Sequence, residues 1–382
     1  MSAPRVLFVS KPLAPPWHDG SKNLVRDIAT YLTRAEPTVL TTPGAPPLGP
    51  RVTMDPVYRD AGRFVPALTA NARVLVRLVS GDPLDMWHFV FAPNAASSSA
   101  ARLARGVRRG SGWKGPVVQT VASAPRSFDG VARWIFGDRV VVLTEWMRAR
   151  LVAHGVRADV VRIIAPCAAA PATPSPEARA RARELHGLGT GPLVVYPGDY
   201  EVSTGARTVA DAAPAILRKV PEATIVFACR AKTKGAGPAR DAIASKLKAD
   251  GLEGRTKHLG EIDDLPALLA EASVVVFPVD DLYGKVDLPL VLLESLALGA
   301  PLVLAKGGPL EAIDAARFVE PQDGERLARE VLRILQRSGE GLEMAERGKA
   351  LYAARFEPRV VAAEYDQLYD ELHRGAPRLT DS

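Results

Sequence analysis

The chain has 382 residues, an apolar share of 47% and a net charge of +6, enough length for two domains with separate cores and the balance of a globular protein. No apolar run reaches the length of a membrane span, and a strand-like run begins at Arg5 without the shape of a signal peptide. Two cysteines, Cys167 and Cys229, exclude a disulfide framework and an all-cysteine zinc site, so a cytoplasmic protein with no metal site is expected.

Charge divides unevenly, +12 over residues 1–185 and −6 over residues 186–382. Either an anionic partner for the basic half or an arginine-rich composition accounts for this. In chain order, 5–10 is the first strand, and 11–20 is a loop holding Pro12, Pro15, Pro16 and Gly20. Ser21 is the expected N-cap of a helix over 23–33, whose Leu24, Ile28, Tyr31 and Leu32 form one stripe. A second strand is expected at 37–41. Residues 62–79 alternate apolar positions with Arg63, Arg73 and Arg77, as in a helix that packs on its own sheet or lies on an anionic membrane surface. Further runs, whose assignment as strands comes from a resemblance described below, lie at 85–90, 116–122, 138–144 and 161–166.

Residues 166–177, rich in Ala, Pro, Thr and Ser, read as a linker, and 178–185 as a helix leading into the second half. A strand at 192–198 ends in a tight turn at Gly198. The strand at 223–229 is followed at once by Arg230, Lys232 and Lys234. Open α/β sheets bind ligands at the carboxyl ends of their strands, so these cations suit an anion, although a solvated basic turn has the same composition. The runs at 273–278 and 301–305 read as buried parallel strands. Between them Leu290, Val291, Leu293, Leu296 and Ala297 recur at helical spacing, with Pro289 in the first turn and Gly299 to Pro301 as the stop. Asp287 and Glu294 can share one side of this helix start, whose free N–H groups suit an anion. At the end of the chain Val361, Tyr365, Leu368, Tyr369 and Leu372 fall on one helical face.

The stretch from Tyr283 to Pro301 resembles the donor-binding motif of GT-B fold glycosyltransferases, family 4 and its retaining relatives. Glu294 and the following Ser295-Leu-Ala-Leu-Gly299-Ala-Pro301 match its second half. The motif's first glutamate falls on Val286, with Asp287 beside it, and Pro289 replaces a glycine. The resemblance implies that Glu294, Asp287, Leu290, Val291 and Gly198 contact a nucleoside diphosphate sugar. It also places Gly20, with His18 and Asp19 nearby, on the acceptor side. Asp85-Met-Trp-His88 resembles the family's Asp-x-x-His strand, so His88 and Asp287 are catalytic candidates; where many relatives carry another histidine, Ala122 stands. The arginine and lysine that usually hold the diphosphate are replaced by Asp199-Tyr200-Glu201 and Thr204-Gly205, and Arg230, Lys232 and Lys285 are the expected substitutes.

The expectation is an α/β protein of GT-B type with two Rossmann-like domains facing across a cleft, spanning 1–170 and 171–355, and a crossover helix and tail over 356–382 that returns to the first domain. The implied activity is transfer of a sugar from a nucleotide-sugar to a glycan, lipid-linked or small-molecule acceptor with retention. No cofactor and no nucleic acid are expected, and the basic first domain suggests peripheral contact with the inner membrane face. A nucleotide-sugar epimerase and a degenerate, non-catalytic partner subunit are the alternatives.

Overall fold

Short runs of branched apolar residues become parallel strands covered on both faces, and they do so twice along the chain. The computed structural model describes residues 2–17, 19–60, 68–231 and 233–375. These pack as two units: unit 1 comprises Met1–Ala169, Tyr283–Leu290 and Arg355–Ser382, and unit 2 comprises Ala170–Leu282 and Val291–Ala354.

Unit 1 runs β1 (Arg5–Val9), α1 (Gly20–Tyr31), β2 (Glu36–Leu40), β3 (Thr53–Asp55), α2 (Leu68–Ser80), β4 (Met86–Val90), α3 (Ala95–Gly110), β5 (Val117–Val121), β6 (Arg139–Val142), α4 (Glu145–Ala153) and β7 (Val161–Ile163). Among the described residues its strands form one parallel sheet in the order β3-β2-β1-β4-β5-β6-β7. The order reverses at β1 and β4. Right-handed crossovers therefore put α1 on one face and α2 with α3 on the other. Val74 and Leu78 of α2 share a core cluster with Ala101 and Ala104 of α3. Residues 62–67 of the expected helix at 62–79 lie outside the described residues.

Unit 2 runs α5 (Pro176–His186), β8 (Leu193–Tyr196), α6 (Gly205–Lys219), β9 (Thr224–Phe227), α7 (Ala236–Ala249), β10 (Thr256–His258), α8 (Leu265–Glu271), β11 (Val274–Phe277), α9 (Leu290–Leu298), β12 (Leu302–Ala305), β13 (Arg317–Val319), α10 (Gly324–Gln336) and α11 (Ser338–Arg355). Its parallel sheet has the order β10-β9-β8-β11-β12-β13, with the reversal at β8 and β11.

The last helix, α12 (Pro358–His373), belongs to unit 1 and packs on α1. Val361, Tyr365, Leu368 and Tyr369 are buried, as the helical face predicts. What fixes the helix is a polar anchor. The carboxylate of Asp366, 1% exposed, accepts from Thr33 N (2.8 Å), Thr33 Oγ1 (2.9 Å), Arg34 N (3.0 Å) and Ala35 N (2.9 Å). These are the donors left where the chain leaves α1, and one buried carboxylate satisfies them together.

Two local expectations change. The N-cap of α1 is Asp19, not Ser21: its carboxylate accepts from Ser21 N (2.9 Å) and Lys22 N (3.3 Å), so the helix starts earlier than the apolar stripe indicated. The segment Tyr283–Leu290, read as part of the second domain, packs with unit 1, where Asp287 N donates to the carbonyl of Ala122 (3.2 Å).

Candidate functional site

In unit 1 the carboxyl edge of the sheet gathers Gly20, Ala122, Thr144 and Asp287. Thr144 ends the loop after β6 and caps α4 through Met147 N (3.2 Å). Its hydroxyl also donates to Asp287 Oδ2 (3.0 Å). Asp287 is 2% exposed, and burial, opposed only in part by that hydrogen bond, pushes its carboxyl up to about 7. Gly20 faces the same segment: a Cβ there would stand 3.3 Å from Val286 Cγ2, so the close approach requires glycine.

Other expected unit 1 residues are occupied. Asp19 caps α1 and pairs with Lys11 (2.5 Å). Burial works to raise its pKa, but Lys11, Ser21 and the backbone of Lys22 outweigh that and hold it below the usual carboxylate range. His18 lies outside the described residues. Lys285 is half-buried within the Tyr283–Leu290 segment.

His88 needs a correction. It is 0% exposed in mid-β4, with Nδ1 2.6 Å from Tyr369 Oη and Nε2 2.7 Å from Thr120 Oγ1. Burial lowers its pKa to about 3, so the ring is neutral, and both nitrogens serve to join β4, β5 and α12. With both nitrogens bonded and no exposed surface, the ring serves packing in this structure, against the expectation of an open catalytic group.

In unit 2 the turn after β8 is shaped by Tyr196, whose buried hydroxyl donates to Asp199 O (2.9 Å). A Cβ on Gly198 would sit 2.1 Å from Tyr196 Cζ, so the ring itself demands this glycine. Where the resemblance expected cations, Glu201 accepts from Tyr200 N (3.2 Å) and from Thr233 N (3.0 Å). The carboxylate thus ties the turn after β8 to the loop after β9, which carries the half-buried Arg230. Lys232 lies outside the described residues. The beginning of α9, reached from the carboxyl end of β11, is on the same edge of this parallel sheet, with Val291 and Glu294 half-buried; Leu290, grouped with unit 1, is buried.

One pair was not singled out from sequence. Tyr200 Oη lies 2.7 Å from His258 Nδ1, and the His258 ring stacks on Phe227 at 4.8 Å and 10°. His258 Nε2 is buried without a hydrogen bond among the described residues, and burial, then Arg240, lowers its pKa. No sequence signal joins two residues from separate strand ends.

The sequence profile of the family described as "Glycosyl transferases group 1" matches residues 191–337, most of unit 2. The structure of Anabaena HepE in complex with UDP-glucose superposes with a TM-score of 0.73, covering 96% of this chain and 99% of that chain at 18% identity. The fold is GT-B. Among curated relatives, this GT-B chain is 30% identical over 140 residues to a GDP-mannose-dependent alpha-(1-6)-phosphatidylinositol monomannoside mannosyltransferase of Mycolicibacterium smegmatis, covering 35% of each. It is 27% identical over 200 residues to the alpha-D-kanosaminyltransferase of Streptomyces kanamyceticus, covering 51% of this chain and 49% of the relative. The matched stretches thus span at most about half the length of these curated relatives. No helix among the described residues is long and apolar enough to cross a membrane.

Proposed function

We propose that this chain transfers a glycosyl group from a nucleoside diphosphate sugar to a lipid-linked or glycan acceptor, with retention at the anomeric carbon. The observation that carries the reading is Glu294. It stands half-buried near the start of α9, at the carboxyl edge of a parallel sheet, inside the stretch matched by the glycosyltransferase family. Both curated relatives are glycosyltransferases by name, and neither the epimerase nor the non-catalytic alternative gains support from them. The lipid acceptor follows the Mycolicibacterium relative, which is named for a phosphatidylinositol monomannoside, and a cytoplasmic, peripheral location is proposed together with it. Two buried free thiols, Cys167 and Cys229, agree with a reducing compartment.

The chemistry asks for stabilisation of a departing diphosphate beside an oxocarbenium-like centre. A helix start contributes about half a positive charge, too little for a diphosphate, so Arg230 on its Glu201-tied loop is assigned the remaining task. Lys232 and Lys285 are further candidates for it. Glu294 is assigned the donor ribose. Asp287, the other catalytic candidate, is 2% exposed and held by Thr144, so no proton-accepting step is assigned to it. No cofactor beyond the donor is invoked.

The test is donor turnover and binding. Purified protein should release nucleoside diphosphate from a matching nucleotide-sugar, and proton NMR of the product should show the donor's anomeric configuration. Glu294→Gln should weaken donor binding by about 1–3 kcal/mol, the range for a lost charged hydrogen bond. Unchanged calorimetric affinity in a folded variant would remove Glu294 from the donor site.

A further inference from the structure

The face of unit 1 formed by α2 and α3 stands apart from the rest of the surface. The two helices carry six arginines and no carboxylate between them. Arg77 pairs with Asp55 and Arg105 with Asp138. Arg73, Arg102, Arg108 and Arg109 form no ion pair with a carboxylate among the described residues. Asp82 and Asp85, in the loop between α2 and β4, are both engaged by Arg5.

Set among these cations are large apolar side chains turned outward: Val76 is 60% exposed, Leu103 59% and Val107 49%. Leu103 and Val107 are one helical turn apart on α3, flanked by Arg102 and Arg109, so apolar and basic positions share one stripe. Arg108 ties the ends of the two helices together by donating to the carbonyls of Leu78 (2.7 Å) and Gly81. Both helices cover the same side of the sheet and share one core cluster. Beside Val76 the surface dips into an open hollow of about 460 Å³ whose walls include Val57 and Ala72.

Aliphatic side chains set beside arginines that pair with no carboxylate among the described residues, Arg102 donating only to the carbonyl of Ile135 (2.8 Å), match one kind of partner: an anionic lipid surface, which takes apolar groups below its headgroups and attracts the charges around them. A nucleic-acid surface would use the arginines but leave Val76, Leu103 and Val107 idle, since bases stack on aromatic rings and not on aliphatic side chains. We propose that the outer face of α2 and α3 docks on an anionic bilayer, with Leu103, Val107 and Val76 at the headgroup level and Arg73, Arg102 and Arg109 on the lipid phosphates. The proposal rests on the lipid-linked acceptor reading for its purpose; the surface itself is argued from its residues.

The experiment is sedimentation of the full chain with vesicles of equal parts phosphatidylglycerol and phosphatidylcholine. Binding at low salt, weakening as salt rises, and absent on pure phosphatidylcholine, is expected. Arg73→Gln and Arg109→Gln, at side chains with no hydrogen bond among the described residues, should each weaken partitioning about fivefold. Leu103→Ser with Val107→Ser should weaken it as well, whereas Lys219→Gln in unit 2 should leave it unchanged. Thermal melting of each variant separates lost binding from lost folding. No sedimentation at low salt, an equal loss in Lys219→Gln, or binding to duplex DNA in place of vesicles would each overturn the docking face. Calorimetry with nucleoside diphosphate on the same samples stands apart: lost nucleotide binding with retained vesicle binding would fault the transferase reading and not this one.

Discussion

The carboxyl edges of the two parallel sheets are used in opposite ways. In unit 1 the polar groups are turned on one another: Asp287 with Thr144 at that edge, His88 with Thr120 and Tyr369 in mid-sheet, and Asp366 with the chain between α1 and β2 at the opposite edge. All three are at most 2% exposed. In unit 2 the edge keeps half-buried groups, namely Arg230, Glu294 and His258, the last with a ring nitrogen that bonds to nothing among the described residues. The same topological rule puts both edges where ligands bind, and burial separates them: the unit 1 groups are sealed into the packing, whereas those of unit 2 keep part of their surface in solvent. Substitutions in unit 1 should therefore move stability, and substitutions in unit 2 should move ligand affinity.

Asp366→Ala should give the largest effect. It strands several buried donors at once, and a cost of about 3–5 kcal/mol is expected in the midpoint and extrapolated free energy of denaturant unfolding. A change below about 1 kcal/mol would mean that water satisfies those donors equally well.

Asp287 sharpens the comparison through pH. Its folded pKa of about 7 lies above the ordinary 3.8, so folding favours the protonated form. Its contribution is fully present below about pH 4 and is lost as pH rises through about 7. Asp287→Asn should therefore be more stable than the parent at about pH 8, by up to about 4 kcal/mol, with the difference vanishing below about pH 4. His88 carries the opposite sign. Its folded pKa of about 3 lies below the ordinary 6.5, so its contribution is present above 6.5 and lost as pH falls towards 3. If melting curves of parent and Asp287→Asn keep a constant offset across this range, Asp287 is not the buried acid described above.

Gly198 tests the boundary of the rule, because it lies on the ligand-facing edge but is explained by packing. Gly198→Ala should cost about 1–3 kcal/mol, since the methyl group would overlap the Tyr196 ring and the buried ring has little room to move. Alanine accommodated without loss of stability would return Gly198 to a role in ligand approach alone.

Much of the fold is legible in the sequence because its strands are short apolar runs buried on both faces, a signal that survives without knowledge of neighbours. Helix α12 is legible for a similar reason, with its tyrosines and leucine on one stripe. By contrast α3, Ala95–Gly110, offers no comparable stripe: only Ser98, Ala101 and Ala104 are buried, and small residues give little periodic contrast. The choice of Asp19 over Ser21 as N-cap is invisible because both residue types cap helices and only geometry selects between them. The Asp366 anchor, the Asp287–Thr144 bond and the Tyr200–His258 pair each join residues far apart in the chain, which no local pattern encodes. Of the candidate site, Glu294 is legible from its motif and Arg230 from a charge placed at a strand end.

We propose that the edge of unit 2 holds a nucleoside diphosphate through Arg230 in place of the family's usual cations. Isothermal titration of the corresponding nucleoside diphosphate into parent protein and Arg230→Ala tests it most directly. Measurable binding by the parent is expected, with a loss of about 1–3 kcal/mol, roughly 5- to 150-fold, in a variant whose melting temperature is unchanged. Full affinity in Arg230→Ala, or no binding by the folded parent to any nucleoside diphosphate, would contradict it.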